Sequence, residues 1–323
     1  MTSHHFPMLQ DDALRLVAAV AAVLIVASVI GQVLKYTLAR NGAHAAIDNL
    51  NHRINAWWAI AILVGLALLA GRAGVTLLFA LASLAALREF VPFVPRETAA
   101  GTPAWVLRGS FALVLPLQYL LIWNGNHLLY SLFIPACVLL VLPLLGLLSG
   151  RPDSFMSHTR SLRAGLLICV FAVSHVPAIL TLHLPGPAYS NAYLLVFLLL
   201  VVQSSDVFQY LWGKLIGRHL IAPRLSPSKT VEGTVGGILS ASALGAGLAS
   251  LTPFTRREAM LISLLITLLG FLGGLAMSAI KRRRGIKDWG TLIPGHGGML
   301  DRLDSLCLSA PVYYYLLRWG WAT

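Results

Sequence analysis

Residues 278–305, SAIKRRRGIKDWGTLIPGHGGMLDRLDS, concentrate charge in a chain that otherwise carries little of it. Five cations, Lys281, Arg282, Arg283, Arg284 and Lys287, precede the turn Pro294-Gly295-His296-Gly297-Gly298, and three carboxylates, Asp288, Asp301 and Asp304, accompany it. A glycine-rich backbone flanked by Lys and Arg suits phosphate, because N–H groups and cations can converge on its oxygens. Carboxylates in the same place would repel that phosphate unless a hard cation lay between them. Mg²⁺ meets this need, since it binds through one or two carboxylates together with substrate phosphates. The basic run alone has a plainer use, which is to orient neighbouring membrane helices. That use leaves the glycines and aspartates without a purpose.

A second polar block, residues 203–233, reads QSSDVFQYLWGKLIGRHLIAPRLSPSKTVEG. Asp206 lies in an apolar helical stretch, where a lone carboxylate is costly and so a functional candidate; a helix-to-helix hydrogen bond is the plainer alternative. Ser226, Ser228 and Thr230 offer hydroxyls and Lys229 an ammonium to a phosphate, and Glu232-Gly233 leads into the next helix. By itself this loop is also an ordinary Ser-Pro-Ser turn. His296 suits donation to a phosphate better than proton removal, because an attacking phosphate is already an anion. His175, within an apolar run, is expected to be packed or hydrogen-bonded without a function. Neither a GxxxxGK(S/T) nor a GxGxxG motif is present. Gly233, Gly236, Gly237, Gly270, Gly273 and Gly274 are expected to permit close helix packing.

The elements that must position these groups are membrane helices. A chain of 323 residues that is 57% hydrophobic and 11% charged is too apolar for an ordinary soluble domain. Runs near bilayer-spanning length centre on residues 25, 64, 81, 115, 139, 173, 200, 242, 270 and 312. The expected fold is an all-α polytopic membrane protein with about ten transmembrane helices and a cytoplasm-facing polar cavity in its C-terminal half. The first run follows Asp11, Asp12 and Arg15, unlike a cleaved signal peptide, and reads as a retained helix. Lys and Arg gather in alternate loops, which places both polar blocks at the cytoplasmic face and both termini outside. Residues 1–52 read as an extra N-terminal helix with a polar linker, 53–190 as scaffold helices and 191–323 as the catalytic region. The net charge of +12 sits in short loops, which favours anionic lipid headgroups and nucleotide phosphates over nucleic acid. Cys137, Cys169 and Cys307 lie in apolar runs with neither disulfide nor metal-ligand spacing.

The two blocks together resemble the phosphatidate cytidylyltransferases, or CDP-diacylglycerol synthases. Ser278, Lys281-Arg282, Lys287-Asp288, Gly290, His296-Gly297-Gly298, Asp301-Arg302 and Asp304 stand where that family's signature has them. In the second block Asp206, Tyr210, Gly213, Gly217, His219, Ser226-Pro227, Lys229-Thr230 and Glu232-Gly233 match as well. The resemblance spans about residues 53–321 and implies an enzyme of a cytoplasmic membrane that converts CTP and phosphatidate to CDP-diacylglycerol and pyrophosphate. It implies Mg²⁺ held by Asp301 with Asp206, a second metal ion being left open, and Asp301, Asp206, Lys281, Lys287 and Asp288 as catalytic residues. Ser226, Lys229, Thr230, Glu232, Ser278, Arg282, His296, Gly297, Gly298, Arg302 and Asp304 would bind substrate. Dimers occur in the family, so a homodimer is one assembly the resemblance implies. The pattern departs at Gly273-Gly274, where the family has a Gly-Asp pair whose aspartate is a metal ligand. That departure points to a divergent branch and leaves open a different lipid phosphate acceptor, such as a polyprenyl phosphate, or a non-catalytic scaffold.

Overall fold

In lipid every backbone N–H and C=O must be satisfied within its own segment, so apolar runs of this kind fold as helices. The computed structural model describes residues 10–37, 45–93, 104–144, 159–184, 191–290 and 297–322. The chain forms α1 (Gln10–Thr37), α2 (Ala45–Leu69), α3 (Gly71–Phe90) and α4 (Ala104–Trp123). Then come α5 (His127–Leu144) and α6 (Arg160–Thr181), which each contain a π-helical turn. The C-terminal half consists of α7 (Asn191–Ile216), α8 (Val231–Gly247), α9 (Arg256–Arg283), the single turn α10 (Leu300–Leu303) and α11 (Leu306–Gly320). Among the described residues seven helices are long and apolar enough to cross a membrane. Every apolar centre named above falls within a helix, but Ile54–Leu69, Phe111–Trp123 and the 15-residue α11 are shorter apolar pieces. Length and hydropathy therefore do not by themselves yield ten spans. The chain is an integral membrane protein, and α1 turns Val23, Ile25, Val26, Val29 and Ile30 outward.

Helix gives way between α7 and α8 to a small antiparallel hairpin, β1 (Leu220–Ala222) with β2 (Ser226–Thr230), in which Leu220 pairs with Thr230 and Ala222 with Ser226. Thr230 ends the hairpin and starts α8, its Oγ1 accepting from Gly233 N at 3.1 Å. A cap of this kind contributes about 1 kcal/mol. The start of α9 is fixed by a reciprocal capping box between Thr255 and Glu258. Helices α7 and α8 lie very close because Gly233 and Gly237 face Gln209; a Cβ on Gly233 would stand 2.7 Å from the Gln209 carbonyl. Helices α3, α6, α7 and α11 enclose the main core around Phe90, Val173, Leu198, Tyr313 and Tyr314. This packing brings the C-terminal ends of α3 and α9 to the segment that carries α10.

Candidate active site

The outer part of the site is knotted by one carboxylate. Helix α9 ends in Lys281, Arg282 and Arg283, cations that suit the negative end of a helix dipole. Arg284 reaches back to the Phe93 carbonyl at 2.7 Å and to Ser161 Oγ at 2.6 Å, and Gly285, at φ +70°, then reverses the chain. Asp301 Oδ1 accepts from Lys281 Nζ at 2.7 Å, while its Oδ2 accepts from the amides of Trp289 at 2.8 Å and Gly298 at 2.9 Å. Gly297 precedes this contact at φ +80°, where a Cβ would also lie 2.7 Å from Asp301 Oδ2. Asp301 thus joins the end of α9, the 288–290 segment and the glycine turn. With side chains only 12% and 6% exposed, Lys281 and Asp301 form a nearly buried pair.

A second carboxylate, absent from the sequence-derived set, holds the same turn from the other side. Glu89, at the end of α3, accepts from Met299 N through Oε1 at 2.8 Å and from Leu300 N through Oε2 at 2.9 Å. A Cβ on Gly290 would stand 2.8 Å from Glu89 Oε1, and one on Gly298 would collide with the same carboxylate. The sequence offered one signal for it: Glu89 is a carboxylate at the end of an apolar helix, the criterion that singled out Asp206.

Deeper in, the two polar blocks meet. Ser305 Oγ lies 2.8 Å from Asp206 Oδ2 and 3.3 Å from Asp304 Oδ1, so one hydroxyl proton serves two carboxylates. The Ser305 amide also donates to Asp304 Oδ1 at 2.7 Å. Asp304 lies in the break between α10 and α11; burial first, and then the charge of Asp206, push its carboxyl up to about 6, against the opposing pull of Lys229 and Lys281. Lys229 acts electrostatically on both carboxylates, and its ammonium stands 4.8 Å over the Phe271 ring. Gly274 faces this group: a Cβ there would lie 3.4 Å from Lys229 Nζ and 3.9 Å from Asp304 Oδ2. The position at which the family's aspartate is missing is therefore a wall of the cluster.

The hairpin is tied to the end of α9 by Arg282, whose Nε donates to the Leu225 carbonyl at 3.2 Å. Glu232 is committed to the hairpin's base: its oxygens take His219 Nδ1 at 2.6 Å and the amides of Arg218 and His219 at 3.1 and 3.2 Å. Arg302 interacts electrostatically with Asp206. Ser226 and Ser278 are half-buried, on β2 and α9, whereas Lys287 and Asp288 are exposed. His296 lies outside the described residues. Of the expected residues the structure thus groups Asp206, Lys229, Lys281, Asp301 and Asp304. The carboxylate it sets beside Asp206 is Asp304, while Asp301 gives one oxygen to Lys281 and the other to the amides of Trp289 and Gly298. Among the described residues no three of His, Cys, Asp and Glu stand together as a metal cluster.

Comparison with known proteins shows the family. A family model described as "Cytidylyltransferase family" matches residues 51–319. Over 304 residues, 94% of this chain and 97% of the relative, the sequence is 38% identical to "Uncharacterized protein YnbB" of Escherichia coli (strain K12). It is 37% identical over 188 residues to a phosphatidate cytidylyltransferase of Rickettsia bellii, covering 55% of this chain and 78% of that one. A phosphatidate cytidylyltransferase of Bacillus subtilis is 42% identical over 119 residues, 36% of this chain and 44% of its own length.

Proposed function

This chain belongs to the cytidylyltransferase family, and on that premise we propose that it makes CDP-diacylglycerol and pyrophosphate from CTP and phosphatidate. A phosphate oxygen of the lipid attacks the α-phosphorus of CTP, a P–O bond forms, and the bond to the pyrophosphate oxygen breaks in line. Little covalent chemistry is asked of the protein; positioning and charge neutralisation supply the acceleration. One observation carries this reading: Asp206 and Asp304 share the Ser305 hydroxyl beside Lys229, with Lys281 close by.

The donor set fits Mg²⁺. Burial, and after it the charge of Asp206, raise Asp304; a divalent cation held by Asp206 and Asp304 would relieve both, and Mg²⁺ binds through one or two carboxylates with water and substrate oxygens completing its shell. When bound there, the ion would supply positive charge to the triphosphate. Lys229 and Lys281 contact phosphate oxygens from either side; Lys281 spends one of its three N–H donors on Asp301 and keeps two. Asp301 holds Lys281 and the glycine turn in place. Both polar blocks lie at the cytoplasmic face of the cytoplasmic membrane, where soluble CTP and bilayer-bound phosphatidate meet, and both termini lie outside.

A second acceptor is favoured by one observation, the glycine at position 274, which alters the wall nearest Lys229 and Asp304. The test is to incubate the purified full-length protein with CTP and Mg²⁺ against phosphatidate, a polyprenyl phosphate and lysophosphatidate, and to identify products by mass spectrometry. CDP-diacylglycerol from phosphatidate supports the proposal. A CDP-lipid formed only from the polyprenyl phosphate transfers the assignment to that acceptor, and no CDP-lipid from any of them removes the enzymatic reading.

A further inference from the structure

We propose that Glu89 is a positioning residue for this reaction: its carboxylate holds the turn that carries Asp301, Asp304 and Ser305 in register with Asp206 and Lys229. The inference rests on the enzymatic reading above, and goes beyond it by giving α3 a part in the site. Both Glu89 oxygens accept from consecutive amides, Met299 N at 2.8 Å and Leu300 N at 2.9 Å. Hydrogen bonds from amides to an ionised carboxylate are roughly twice as strong as neutral ones. The carboxylate reaches this place because residues 290 and 298 lack side chains; a Cβ at either would run into it.

Over its described residues, 297–300, the turn therefore has a different occupant from the one its composition suggests. Three successive amides that face into it are already taken, Gly298 N by Asp301 and Met299 N and Leu300 N by Glu89. Protein carboxylates fill the space that a phosphate would otherwise find, and phosphate binding falls to the lysine side chains. One helical turn after Leu300 the chain delivers Asp304 and Ser305 to Asp206. Glu89 is bound to the backbone at the start of that turn, so it sets where the carboxylate pair ends up.

Charge and shape both matter here. Glu89→Gln keeps the length but offers one acceptor oxygen and turns an NH₂ toward the second amide, donor against donor. Glu89→Asp keeps two acceptors on a stem one methylene shorter. The experiment uses the full-length protein in lipid nanodiscs, with steady-state kinetics on CTP and phosphatidate beside hydrogen–deuterium exchange. Glu89→Gln is expected to lower kcat about 10–100-fold, the range for partners that orient a ligand-bearing group, with KM for CTP little changed. Exchange should rise in 297–305 and stay constant in 231–247, and Glu89→Asp should recover part of kcat. Unchanged exchange in 297–305, or raised exchange with kcat intact, overturns the proposal. A global rise in exchange with kcat per folded molecule unchanged reduces Glu89 to an ordinary structural contact and overturns it too. Wild-type protein that forms no CDP-lipid defeats the enzymatic reading instead, and is told apart because exchange still reports whether Glu89 holds the turn.

Discussion

Lys281 and Asp301 lie 2.7 Å apart at the junction of α9 and the glycine turn, with their side chains 12% and 6% exposed. Removing one member of such a pair leaves the other buried and uncompensated, which costs about 3–5 kcal/mol, whereas replacing both with apolar residues is often neutral. Asp301→Ala also orphans the amides of Trp289 and Gly298. We expect Asp301→Ala to lose about 3–5 kcal/mol of stability, measured by denaturant unfolding in detergent. Lys281→Met combined with Asp301→Leu should regain most of the part due to the ion pair. Wild-type stability in Asp301→Ala would show that the pair is not a structural knot.

Asp206 and Asp304 should behave in the opposite way. Each stands beside a like charge, so Asp304→Asn relieves repulsion and is expected to leave the melting temperature equal to or above that of the wild type in the absence of Mg²⁺. The same change should raise the Mg²⁺ concentration needed for half-maximal activity and lower kcat. A Mg²⁺ titration of activity, run beside thermal unfolding, checks both parts. A lower melting temperature with an unaltered Mg²⁺ requirement would assign Asp304 a purely structural role.

Gly274 permits a direct experiment on the missing aspartate. A Cβ there meets only ordinary contacts, 3.4 Å to Lys229 Nζ and 3.9 Å to Asp304 Oδ2. Gly274→Asp places a third carboxylate in the cluster. Without Mg²⁺ it should lower the melting temperature by repulsion; with Mg²⁺ it should recover, and the half-saturating Mg²⁺ concentration should fall severalfold. A melting temperature indifferent to Mg²⁺ in both proteins contradicts a cation site at this place.

Lys229 is predicted to contribute charge rather than packing. Lys229→Met keeps an apolar stem against Phe271, whose ring lies 4.8 Å from the ammonium, but removes the cation from the carboxylates and phosphates. A loss of about 10²–10³ in kcat/KM is expected, the scale for one preorganised electrostatic group. Lys229→Arg should restore only part, because a planar fork does not replace a compact ammonium.

Parts of this site were legible in the sequence and parts were not, for physical reasons that differ residue by residue. Asp206 was found because a carboxylate in an apolar helix is costly, and Lys229 because the hydroxyls of Ser226, Ser228 and Thr230 gather around its ammonium. Asp301 and Asp304 lie three residues apart on one helical turn, so composition could not say which would face Asp206. Tertiary contacts decide it, since Lys281 and two amides claim Asp301. Glu89 lies 210 residues before the amide it binds, a separation that no local pattern of residues reveals. Glu232 carries the motif, yet its oxygens close the hairpin through His219 and Arg218. The hairpin itself was hidden by Pro223 and Pro227, residues that argue against strands except at edges.

The central claim is that the two polar blocks form one site around Asp304 and Lys229. It is tested most directly by following CTP labelled at the α-phosphate into lipid-extractable product with phosphatidate and Mg²⁺, in wild type, Lys229→Met and Asp304→Asn. The account predicts label in the lipid phase for the wild type and severe loss in both variants, with the folded fraction unchanged. Equal label in all three proteins would contradict it.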